Sequence, residues 1–174
     1  MKKLLMTLVA AFAVAISANA QVYVGGGFSV QGNDDGNTTT TTYKFLPEIG
    51  YNFTSDWAAG VMFGWEGQTK GHAKSIEINP YARYTFVHTK YINVFVDGSL
   101  GYGHVYNAGN DIDTWSVGAR PGIAVNLNEH LSFVSHVGFL GWQQRKNNNT
   151  SGKISKYGLD LDGNNIAFSL YYNF

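Results

Sequence analysis

From Val22 to the end, the chain alternates apolar and polar residues with a period of two, in eight segments separated by polar connections. That is the period of a β-strand with one apolar face; an amphipathic helix would repeat every three or four residues. The apolar positions run Val22, Val24, Phe28, Val30; then Tyr43, Phe45, Ile49, Tyr51; then Trp57, Val61, Phe63, Trp65; then Ile76, Ile78, Tyr84, Phe86. They continue with Ile92, Val94, Val96, Leu100, Tyr102; Trp115, Val117, Ile123, Val125; Leu131, Phe133, Val137, Phe139; and Ile166, Phe168, Leu170, Tyr172, Phe174. The seventh segment is the weakest: Ser135 falls on its apolar face, with Val134, His136 and Leu140 opposite. Connections alternate in length. Short ones fall at Thr54-Ser55-Asp56, His88-Thr89-Lys90 and Asn128-Glu129-His130, and long polar ones near residues 32–41, 67–74, 107–113 and 145–164. With strands running up and down, the short turns gather at one end and the long loops at the other.

An all-β, eight-stranded antiparallel up-and-down barrel satisfies this pattern with either face inward. A soluble lipocalin-like binder turns the apolar face in around a ligand; a transmembrane barrel turns it out to lipid. Three features favour the second. More than thirty large side chains occupy the apolar face, about half of them aromatic, and the interior of an eight-stranded barrel is only just wide enough to be filled by side chains. The opposite face is rich in Gly, Ser, Ala and Asn, where a water-facing exterior would carry Lys and Glu. Finally, the strand charges Lys44, Glu48, Glu66, Glu77, Arg83, Asp97 and Arg120 all fall in the polar register; a midplane Lys or Arg facing lipid would cost about 2–4 kcal/mol.

Aromatics add depth marks. Trp57, Phe86, Tyr91, Phe133, Tyr172 and Phe174 cluster at the short-turn end, and Tyr43, Trp65, Tyr102, Tyr106 and Trp115 at the long-loop end. Amphipathic rings prefer the headgroup region, so two belts are expected. The eight residues from Trp57 to Trp65 span roughly 26 Å of strand, or some 20 Å of height at a tilt of about 40°, close to the apolar band of a membrane barrel. Composition excludes other classes. Charged residues are 14% of the chain, acids and bases balance at 12 each, and cysteine is absent. There is no disulfide framework, thiolate metal site, cysteine nucleophile or lipidated anchor, and no electrostatic footprint for nucleic acid.

The first twenty residues read as an address. Lys2 and Lys3 precede an apolar run over residues 4–16, and Ala18-Asn19-Ala20 forms an A-x-A cleavage site. This predicts a secretory signal peptide over 1–20 and a single barrel domain over 21–174, with net charge −2. The apolar run is too short for a membrane anchor, which needs about 20 residues.

In these features the chain resembles the small eight-stranded outer-membrane barrels, the family of the OmpA transmembrane domain and the OmpX/Ail proteins. The terminal stretch Ile166-Ala167-Phe168-Ser169-Leu170-Tyr171-Tyr172-Asn173-Phe174 is similar to that family's assembly signal. The resemblance implies recognition of the C-terminal segment ending at Phe174 by the barrel-assembly machinery, and residence in the bacterial outer membrane among lipid and lipopolysaccharide. With the chain closing at Phe174, the peptidoglycan-binding domain of OmpA proper is expected to be absent. Pro80 and Pro121 fall inside strands on the lipid side, where a closed ladder disfavours them; either the strands bulge there or the register shifts by one.

In the polar register, Glu48, Glu77, Arg83, Asp97 and Arg120 are expected to meet in the lumen as an ion-pair network, since an unpaired charge in a dry interior costs several kcal/mol. Similar barrels carry such a plug. His136 reads as a lumen hydrogen-bonding group. Catalytic sets are weak. His130-x-Ser132, beside Glu129, looks like the His-x-Ser of lipid A deacylases but falls at a short turn. His72 and His104 fall toward the loop end, near Ser75 and Asp111 or Asp113. No metal-ligand spacing or cofactor motif occurs, and Gly25-Gly26-Gly27 sits in a strand with no helix following, so it is no phosphate loop. The long loops are polar, the first acidic at its start and the last basic through Arg145, Lys146, Lys153 and Lys156; that basic loop could touch lipopolysaccharide phosphates. The reading is a non-enzymatic outer-membrane barrel with a plugged lumen, acting in membrane integrity or adhesion. The alternatives are a narrow channel, a lipid A-modifying enzyme and a soluble lipocalin-like binder.

Overall fold

The computed structural model describes residues 21–34, 39–69, 74–106, 111–148, 152–160 and 167–174. Residues 1–20, His72 and Ile166 lie outside them. The strands are β1 (Val22–Asp34), β2 (Thr39–Asn52), β3 (Trp57–Gln68), β4 (Lys74–His88), β5 (Ile92–Tyr106), β6 (Ile112–Asn126), β7 (Leu131–His136), β8 (Phe139–Asn147), β9 (Lys153–Asp160) and β10 (Ala167–Asn173). They make eight passes. β1 to β6 pair in sequence, β7 and β8 both pair with β6 as two halves of the seventh pass, and β9 and β10 pair with β8 and β7. Pairing of β10 with β1, from Tyr23↔Asn173 to Gly26↔Leu170, closes the barrel.

The three short turns share one local chemistry. The side-chain oxygen of Thr54, Thr89 or Asn128 accepts the backbone N–H groups two and three residues on: Asp56 and Trp57, Tyr91 and Ile92, His130 and Leu131. The first residue's own N–H donates to the carbonyl three residues later. Thr and Asn favour such turns because their short polar side chains reach their own backbone.

The apolar register faces outward. Phe28, Trp57, Trp65, Leu100, Trp115 and Phe168 are all exposed, while Tyr23, Tyr81, Phe95, Val134 and Tyr171 are buried inside. A narrow barrel accommodates those inward rings because each lies opposite a glycine. Tyr23 pairs with Gly50, Tyr81 with Gly60, Tyr171 with Gly25 and Phe95 with Gly122. A Cβ on any of these glycines would lie 2.2 to 2.4 Å from the ring or hydroxyl it faces.

The seventh pass corrects the sequence reading. Gly122 pairs with His136 and Ala119 with Leu140, so three residues of the seventh pass oppose two of β6. The extra residue makes a β-bulge at Val137 and Gly138, and Gly138 takes a φ of 70°, which glycine adopts without a Cβ clash. Above the bulge the faces exchange. Leu140 points outward, 52% exposed, and Phe139 turns in to line the lumen, the reverse of the expected placement. Pro121 sits at this break, its carbonyl accepting Val137 N–H at 3.0 Å, so its missing donor falls where the ladder is already interrupted. β4 keeps its register across Pro80, between Ile78↔Tyr102 and Tyr81↔Ser99, and shifts instead between Thr85 and Val87.

Candidate functional site

Alternation along β2, β4, β5 and β7 points Glu48, Arg83, Asp97 and His136 at one another across the lumen. All four are buried, and Asp97 is 1% exposed. Arg83 grips Asp97 with two parallel bonds, Nε to Oδ1 at 2.7 Å and Nη2 to Oδ2 at 2.9 Å. His136 Nε2 meets Asp97 Oδ2 at 2.8 Å; an ionised carboxylate can only accept, so the proton sits on Nε2. Arg83 Nη2 also lies 3.7 Å from Glu48 Oε1. Glu48 in turn accepts from Tyr171 OH at 2.6 Å and from Tyr81 OH, and Tyr23 OH bonds to Tyr81 OH. The guanidinium carbon sits 3.9 Å from the Phe95 ring centre, with Tyr23, Tyr81 and Tyr171 rings 5.3 to 5.7 Å away. The cation is thus held by two carboxylates and boxed by aromatic faces that attract it electrostatically.

Three of the five charged residues expected in the network therefore meet: Glu48, Arg83 and Asp97. Glu77 stands apart, bound to Lys44 at 3.2 Å in a half-buried pair nearer the loop end. Arg120 is the cross-strand partner of Asp97, but that carboxylate is already engaged by Arg83 and His136. The Arg120 Nε is buried without a hydrogen-bond partner among the described residues. The period of two alone puts Tyr23, Tyr81, Phe95 and His136 on the inward face but does not join them to the charged residues, and it gives Tyr171 no face. Tyr171 lies between Leu170 and Tyr172, where apolarity gives no parity; its signal is the glycine opposite, Gly25.

The network separates two cavities. One of about 570 Å³ opens toward the short turns, lined by Asn52, Asn93, Asn126, Ser132 and Asn173 below Arg83. The other, about 620 Å³, lies toward the loops, lined by Lys44, Glu77, Asn79, Ser116, Arg120 and Asp160. Asp97, Glu48, Tyr81 and His136 border the second cavity.

Outward, the aromatics pair along two levels. Trp57 packs on Tyr84 and Tyr172 on Phe174 at the turn end, with centroids 4.8 and 4.9 Å apart, and Tyr91 is exposed at the same end. Tyr43 packs on Trp65 at 5.4 Å and Tyr102 on Trp115 at 4.7 Å at the loop end.

Among the described residues the candidate catalytic sets do not assemble; His72 lies outside them. His104 Nδ1 lies 2.6 Å from Asp113 Oδ1, and Asp113 also accepts from Tyr102 OH and from Asn148 Nδ2. This cluster shares the outward face of Tyr102 and Trp115, whereas Ser75 is in the inward register of β4 and does not join the His–Asp pair. His130 stacks on Tyr172, while Ser132 points inward and donates to Asn126 Oδ1 at 3.0 Å. Among the described residues no group of three or more His, Asp or Glu is arranged to hold a metal.

An antiparallel barrel closed by β10 on β1, with aromatics and aliphatics outside and paired charges inside, belongs to the transmembrane class, since strands that cross lipid satisfy their backbone groups by pairing in a sheet closed on itself. The chain belongs to the family described as outer membrane protein beta-barrel domain, which matches residues 4–174. It is therefore a bacterial outer-membrane protein. Its fold is similar to that of Neisserial surface protein A (NspA), with a TM-score of 0.54 and 16% sequence identity over 88% of this chain and 97% of that one. No curated protein matches the sequence.

Proposed function

We propose that this protein is a non-conducting, non-enzymatic barrel that contributes to outer-membrane integrity and presents its long loops to the cell surroundings as an interaction or adhesion surface. The observation that carries this reading is the Glu48–Arg83–Asp97–His136 network between the two cavities. Its side chains are bonded to one another across the lumen, so a hydrated path would have to break a bidentate charged pair in a low-dielectric interior. Residues 1–20 act as the cleaved export signal in this reading, and the segment ending at Phe174 engages the barrel-assembly machinery. The outward aromatic levels act as the interfacial belts. The two cavities give a narrow channel as the competing reading. Planar-bilayer recording of the purified protein decides between them: the proposal predicts no stable single-channel steps, and a large, lasting conductance would replace the plug with a pore.

A further inference from the structure

At the loop end, the outward face of β8 and β9 carries two lysines side by side. Lys146 and Lys153 are direct cross-strand partners, which places their Cβ atoms roughly 5 Å apart. Contacts on either side fix the face they share. Asn148 Nδ2 donates to Asp113 Oδ2 at 2.9 Å, on the face of Trp115, and Gln144 Nε2 donates to Ser155 Oγ at 3.3 Å one pair below the lysines. Gln144 is also the register partner of Trp115, so the lysines stand about 7 Å further along the strand than that ring. Below Gln144 and Ser155 come Trp142 with Tyr157, then Leu140 with Leu159; Tyr157 is 87% exposed and both leucines are exposed. The column thus grades from two cations through a polar pair and an aromatic pair to aliphatics.

Like charges directly opposite each other repel, and no carboxylate among the described residues forms an ion pair with either lysine. Asp113 is the cross-strand neighbour of Lys146 on β6, but its oxygens are taken by His104, Tyr102 and Asn148. The row is left needing an anion with an apolar body beneath it.

We propose that Lys146 and Lys153 bind the phosphate of an outer-leaflet phosphoglycolipid of the lipid A type, whose acyl chains run down over Trp142, Tyr157, Leu140 and Leu159. Ammonium groups near a membrane surface attract anionic headgroups in this way. The site rests on the membrane reading and its outward loop end, and is independent of whether the lumen conducts. The test is native mass spectrometry of the protein purified from membranes in mild detergent, offered bisphosphorylated lipid A, dephosphorylated lipid A or phosphatidylglycerol. Bisphosphorylated lipid A is expected to be retained about tenfold more than either competitor. K146Q/K153Q is expected to lose that preference and K90Q, at the opposite end, to keep it, with both variants showing the heat-dependent gel shift of a folded barrel. Equal retention by K146Q/K153Q, or of the dephosphorylated lipid, would overturn the site. Equal retention of phosphatidylglycerol would overturn the glycolipid assignment. A conducting barrel that still selects lipid A would overturn the plug alone.

Discussion

Replacing Arg83 with Ala tests the lumen network most severely. The side chain is buried and answers two buried carboxylates, Asp97 and Glu48. Its removal leaves Glu48 with only its tyrosine donors and Asp97 with the His136 ring, and vacates the box formed by Phe95 and the three tyrosines. Breaking a buried pair from one side costs about 3–5 kcal/mol, because the remaining charge keeps its desolvation penalty. The lost cation–aromatic contact adds up to about 2 kcal/mol when desolvated, though the two effects overlap. With an m-value near 2 kcal/mol/M, a loss of about 4 kcal/mol lowers the urea midpoint by roughly 2 M. The assay is urea unfolding of the protein refolded into lipid vesicles, followed by tryptophan fluorescence. Lys44→Ala is the comparison: its pair with Glu77 is partly exposed, and such pairs contribute less than about 1 kcal/mol. A second variant, R83M/D97N/E48Q, removes the charges together and should recover much of the loss. An R83A midpoint within experimental error of the parent would refute the network as a stabilising unit.

Two further outcomes follow from side-chain packing. Gly25→Ala places a Cβ 2.2 Å from the Tyr171 ring and should lower stability by about 1–3 kcal/mol, whereas Gly98→Ala meets only the Ala82 carbonyl at 3.9 Å and should be close to neutral; the same urea titration reads both. The bulge at Gly138 predicts that Leu140→Lys, on the lipid face, destabilises by about 2–4 kcal/mol if it lies near midplane, while Phe139→Asn, on the lumen side, costs less; the opposite ranking would restore the unbroken register.

Alternation made most of the fold legible, because in a membrane barrel the two faces meet solvents of opposite preference and each strand residue must choose. Where that choice is chemically blunt, the sequence was silent. Tyr171 sits in an apolar run and its inward aim depends on Gly25 across the closing seam, a pairing of residues 146 positions apart. In the seventh pass the change of parity was written in the sequence, since Leu131 and Phe133 fall on odd positions and Leu140 and Trp142 on even ones. Reading one frame through Val137 and Phe139 concealed it. Glu77 and Arg120 were assigned to the network from parity alone. Parity fixes the face but not the height, and Glu77 lies level with Gly64 and Gly103, within reach of Lys44 and not of Arg83's cluster. The choice of Arg83 over Arg120 as Asp97's partner depends on side-chain reach within the lumen, which no periodicity encodes.

That the apolar register faces lipid and the polar register faces the interior is tested most directly by labelling adjacent positions of one strand. Because the sequence contains no cysteine, single cysteines at Ser116 and Val117 can be labelled with a fluorophore without background. In vesicles containing a lipid-phase quencher, the account predicts strong quenching at position 117 and weak quenching at 116. Strong quenching at 116 with protection at 117 would mean that the barrel is turned inside out, and would contradict the account.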